Sequence, residues 1–194
     1  MADKYKIFEA LAKENKEDKD YRICLKMIDP SFLILAPHGG KIEPTTSEIT
    51  REIAGDKFSH YCFEGIKLSK NSELHITSTN FDEPQCMELV RRCKTIITIH
   101  GKAGTGENIY MGGNDTALGN KIRYALNEAG FSAMDETNRY LMARNSQNIC
   151  NRGQTGCGVQ LEIHKGLRNK LKEDATLMTK FCSSIQAALI KSLS

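Results

Sequence analysis

Two short apolar runs, each ending in a histidine and a glycine, constrain this chain more than any other feature. Phe32-Leu33-Ile34-Leu35 leads into Ala36-Pro37-His38-Gly39-Gly40-Lys41-Ile42-Glu43, and Thr95-Ile96-Ile97-Thr98-Ile99 leads into His100-Gly101. Runs of this length, rich in β-branched side chains and bounded by turn residues, predict buried strands. Helical and strand patterns alternate around them. Tyr5, Phe8, Leu11 and Ala12 stand at helical spacing. Tyr21 to Met27 alternates as a half-exposed strand. Thr45 and Glu48, just after Pro44, form a capping-box pattern ahead of a helix over 46–54. Strands are expected over 60–66, 74–78 and 158–163. Helices are expected over 84–92, from about 116 to 129, and from about 175 to 193. The reading is α/β: one domain over residues 1–194, with a mixed, mainly parallel sheet flanked by helices.

Composition narrows the function classes. The 194 residues carry a net charge of +3, with no long basic run and no basic patch interleaved with aromatics, so nucleic acid is not an expected partner. No apolar stretch approaches the roughly 20 residues that cross a bilayer. The charged N-terminal segment lacks the apolar core of a secretion signal, so a cytoplasmic chain is expected, released if at all by lysis. The 7 cysteines are odd in number and include no CxxC pair, which argues against a disulfide framework.

In sheets of this kind, ligands collect at the carboxyl ends of strands. His38 and His100 both fall where a strand should end, and Glu43 follows His38 after a turn that Gly39 and Gly40 make sharp. Two imidazoles and a carboxylate suit zinc and leave one position for water. His38, Glu43 and His100 are therefore the candidate metal ligands. His75 is an alternative donor, although its place inside a predicted strand favours a hydrogen-bonded role. Glu162 falls near the end of a third strand, between Leu161 and Ile163, and is the candidate general base. His164 would share its side of that strand. Arg152, in the loop before it, is the candidate group for gripping a substrate carboxylate or an oxyanion. Lys41, Arg51 and Lys102 flank the ligands and would favour an acidic substrate. The Gly101–Gly106 loop has P-loop glycine spacing, but Glu107-Asn108 stands where Lys and Ser or Thr are required. Cys150 and Cys157, both near glycines, keep a thiol hydrolase open as a rival.

The chain resembles the poly-gamma-glutamate hydrolase family of phages and of prophage regions in bacilli. The resemblance rests on Ala36–Glu43, on Leu74-His75-Ile76-Thr77-Ser78-Thr79-Asn80-Phe81-Asp82-Glu83-Pro84, on Ile99-His100-Gly101, and on Asn151-Arg152-Gly153 leading to Gly158–Glu162. It implies a zinc-dependent amidohydrolase with a zinc carboxypeptidase-like fold. His38, Glu43 and His100 match the ligand positions and Glu162 the catalytic glutamate. The implied partner is an acidic polymer, poly-gamma-glutamate, cleaved at its gamma-amide bonds. The wider zinc carboxypeptidases place the first ligands as H-x-x-E, whereas here four residues intervene. A different class also fits the composition: a non-enzymatic phage accessory or binding protein with a structural metal.

Overall fold

The computed structural model describes residues 3–193. In chain order the elements are α1 (Phe8–Glu14), β1 (Tyr21–Lys26), β2 (Phe32–Gly40), α2 (Thr46–Ala54), β3 (Ser59–Gly65), α3 (Pro84–Arg92), β4 (Thr95–Lys102) and β5 (Ile109–Gly112). They continue with α4 (Thr116–Glu128), β6 (Ala133–Asp135), β7 (Val159–His164), α5 (Lys165–Glu173) and α6 (Ala175–Ser192).

One seven-stranded sheet runs in the order β1-β3-β2-β4-β7-β5-β6. The central four strands, β3, β2, β4 and β7, are parallel. β1 pairs antiparallel with β3 at one side, and β5 antiparallel with β7 at the other. From β2 the chain passes outward to β3, then crosses back to β4 on β2's other flank. The winding direction therefore reverses between β2 and β4, the position where open α/β sheets bind ligands.

Alternation along the strands divides the core in two. Phe32, Ile34, Ile97, Ile99, Val159, Leu161 and Ile163 pack with α2, α4, α5 and α6 through residues such as Ile53, Ile122, Leu167 and Ile185. Leu33, Leu35, Tyr61, Phe63 and Ile96 pack with α1 and α3 through Leu11, Leu89 and Val90. The two-sided burial of β2 and β4 explains why their sequences read as continuous apolar runs.

Three sequence expectations change. Residues 74–78 form no strand: Asn71–Leu74 is a short 3-10 turn, residues 75–77 join no ladder, and a turn begins at Ser78. Side chains replace the ladder there, since Thr77 N–H donates to Asp3 and the Ile76 carbonyl lies 2.8 Å from His38 Nε2. The Thr45–Glu48 capping box does not form either. Thr45 is held at φ 79° with no side-chain cap, although α2 begins at Thr46 as expected. Finally, β5, β6 and α5 are additions. The 60–66 and 158–163 strands lie within a residue of expectation.

Candidate active site

The site is built at the carboxyl edge of β2, β4 and β7. Pro37 has no N–H to offer a ladder, and the β2–β3 register shifts between Ala36 and Gly39. Such a bulge re-aims the side chain within it, here His38. Gly40 then takes φ 62°, and the turn closes where Glu43 N–H donates to the His38 carbonyl at 2.8 Å. This closure is how a five-residue separation brings both side chains to one place.

His38 Nε2 lies against the Ile76 carbonyl, so the ring presents Nδ1 to the site. That nitrogen is buried, has no hydrogen-bond partner, and stands 3.4 Å from Glu43 Oε1. His100 points its Nδ1 at the other carboxylate oxygen, 3.7 Å from Glu43 Oε2, while its Nε2 lies 3.4 Å from Ser78 Oγ. Donors about 2.0–2.1 Å from a tetrahedral zinc stand roughly 3.4 Å apart, close to the spacing of each imidazole nitrogen from its Glu43 oxygen. The second contacts fit as well, because each ring is oriented by a bond at its far nitrogen. His75 packs its ring on His38 at a centroid distance of 3.9 Å and is tied through Nδ1 to Asp3 at 2.7 Å. Among the described residues, His38, Glu43 and His75 are the three that offer ligand atoms all within 4.8 Å of one another, a grouping without His100, so His75 stands beside His100 as a candidate third donor.

Glu162 on β7 is the register partner of His100 on β4. Its residue is 8% exposed, and Gln160 Nε2 donates to its Oε1 at 3.0 Å. Burial pushes its carboxyl up to about 7, and Glu43 acts in the same direction against the opposing pull of His100. Burial would also raise Glu43, but the His38 and His100 imidazoles hold it well below the usual carboxylate range. His100 is raised: burial opposes its charge, and the Glu43 and Glu162 carboxylates outweigh that. Two neighbouring carboxyls are thus pushed apart, one held ionised and one poised near neutrality, a pattern typical of divided acid–base roles.

These groups line a cavity of about 550 Å³ together with His75, Ser78, Lys102, Tyr140 and Gln160. Lys102 reaches it paired with Glu136 at 2.5 Å and lies over the Tyr110 ring.

The structure does not bring Arg152 to this cavity. Its Nη1 donates to the Phe81 carbonyl at 2.9 Å, so the guanidinium is engaged in holding that turn. His164 stays with Tyr110 and does not line the cavity. Arg51 pairs with Glu64 and Lys41 reaches the Lys67 carbonyl. Neither Cys150 nor Cys157 lines the cavity. Cys150 is buried, and burial pushes its thiol up to about 12, the opposite of what a nucleophile needs. Sequence reading missed Ser78, Gln160 and Asp3 as supporting groups, since none carries a local pattern that marks it.

Comparison with known proteins gives the family and the fold. The sequence profile of poly-gamma-glutamate hydrolases matches residues 5–189. The SPbeta prophage-derived protein YoqZ of Bacillus subtilis (strain 168) is 46% identical over 178 residues, 91% of this chain. The chain spans 64% of the length of YoqZ. A solved bacteriophage poly-gamma-glutamate hydrolase is 31% identical, with a TM-score of 0.94 over 99% of both chains. A solved zinc-free form of YndL is 33% identical, with a TM-score of 0.92 over 100% of both. With the profile match running through all seven strands and the site they carry, the chain belongs to the poly-gamma-glutamate hydrolase family.

Proposed function

We propose that this protein is a zinc-dependent amidohydrolase that cleaves the gamma-glutamyl amide bonds of poly-gamma-glutamate. The observation that carries the reading is the convergence of two oriented imidazole nitrogens and one ionised carboxylate beside a second carboxyl poised near pH 7. His38, Glu43 and His100 would hold the metal. Zinc, when bound, supplies Lewis acidity, lowering the pKa of a water and polarising an amide carbonyl. Glu162 accepts the proton of the attacking water as its oxygen adds to the carbonyl carbon. It returns that proton to the amide nitrogen as the C–N bond breaks, leaving a carboxyl and a free amine. The choice of substrate and metal is supported by the likeness to the bacteriophage poly-gamma-glutamate hydrolase and to YndL, whose zinc-free form has been solved.

The test is zinc content of the purified protein and of His38→Ala, coupled to poly-gamma-glutamate cleavage with and without a chelator. About one zinc per chain, lost in the variant together with chelator-sensitive cleavage, is the expected result. Zinc without cleavage would sink the substrate assignment. Metal-free protein that cleaves would sink the mechanism.

A further inference from the structure

Arg168 lies on α5 and is 5% exposed, yet among the described residues no carboxylate stands within ion-pair distance of it. A buried guanidinium must be satisfied by other means. Its Nε donates to the Ile163 carbonyl at 3.0 Å and its Nη1 donates to the Pro44 carbonyl. Its guanidinium lies against Gly101 so closely that a Cβ there would meet Arg168 Cζ at 2.7 Å and Nη2 at 2.9 Å. These three contacts share a pattern. Pro44 directly follows Glu43, Gly101 directly follows His100, and Ile163 directly follows Glu162. One planar group therefore touches the main chain one residue beyond each of three proposed site residues, on three different segments.

We infer that Arg168 is a positioning residue that locks the Glu43, His100 and Glu162 segments into one geometry from beneath the site. This rests on the hydrolase reading for its catalytic meaning. A rigid fork can bond two carbonyls at once, whereas a lysine ammonium is a single point on a flexible stem. Gly101 has a matching role. Its missing side chain admits the guanidinium, and its N–H donates to Glu43 Oε2 at 2.8 Å. Displacing Arg168 should therefore loosen Glu43 itself.

The test compares the full chain with Arg168→Lys and Arg168→Met. Three quantities are read: hydrogen exchange at the Gly101 amide in zinc-free protein, zinc affinity by chelator competition, and kcat with KM on poly-gamma-glutamate. Faster exchange at Gly101 but not in α6, zinc affinity weakened about 10–100-fold, and a fall in kcat with KM nearly unchanged are expected. Arg168→Lys should fall between parent and Arg168→Met. Unchanged Gly101 exchange and zinc affinity in the folded variants would overturn the inference. So would uniform acceleration of every amide, or failure of both variants to fold, since each marks a general structural role. If Arg168→Met alone fails to fold, Arg168→Lys decides. A parent that does not cleave the polymer would defeat the hydrolase reading, while Gly101 exchange would still decide the clamp.

Discussion

His100 and Glu162 face each other in register across β4 and β7, so a proposed ligand and the proposed base are set by the same strand pairing. Replacing the base leaves the pairing and the ligands untouched. Glu162→Gln is therefore expected to lower kcat about 10²–10⁴-fold while zinc content stays at the parental level. Steady-state kinetics with metal analysis checks this, and parental turnover would exclude Glu162 from proton transfer.

The same carboxyl destabilises the metal-free fold at neutral pH. Its pKa rises from an ordinary 4.5 to about 7 on folding, so the native state binds the proton more tightly than the unfolded chain. The resulting stability is complete below about 4.5 and is lost as pH rises through about 7. Glu162→Gln should remove this dependence and stabilise chelator-treated protein at pH 8 by about 1–3 kcal/mol. Thermal melts of both proteins from pH 4.5 to pH 8 would show it as diverging curves.

Metal should stabilise the parent and not a ligand variant. A ligand at 100 times its Kd adds about 2.7 kcal/mol to the native state. The melting temperature of the parent should therefore climb with added zinc, and that of His38→Ala should stay flat. An equal rise in both would place the binding elsewhere.

Glu64, with its side chain 4% exposed, receives Arg22 and Arg51, each at 2.7 Å. Burial opposes its charge, but the two guanidinium groups hold its carboxyl down at about 2. A depressed pKa gives stability that is present above about 4.5 and lost as pH falls through about 2. Both arginines are partly in solvent, so Glu64→Gln should cost only about 1–2 kcal/mol at pH 7. That difference should shrink toward pH 2 in denaturant titrations.

That His38, Glu43, His100 and Glu162 share one cavity was legible because His38 and His100 end apolar runs, Glu162 sits within one, and Glu43 follows His38 after a glycine turn. Arg168 was not. It shares α5 with Lys165, Lys170 and Lys172, and a charge in that company reads as solvated until the sheet beneath it is known. Residues 74–78 misled for a related reason. Leu74 and Ile76 are fully buried at a spacing of two, as in a strand, but the Ile76 carbonyl and the Thr77 N–H bond to side chains. Arg152 misled through its loop position, since only the fold shows that it reaches the Phe81 carbonyl. The strands β5 and β6, of 4 and 3 residues, are too short to show a period.

The adjacency of β2, β4 and β7 has a kinetic consequence. Each brings its part of the site from a distant stretch of chain, and the β2–β4 pairing forms only after β3 and α3 have been bypassed. Non-local pairings of this sort close late, because loop entropy opposes them until neighbouring contacts exist. No early fragment of the nascent chain contains a competent site. During refolding, recovery of tight zinc binding should lag the return of helical signal and coincide with the final cooperative closure of the sheet, making the metal a reporter of completed folding.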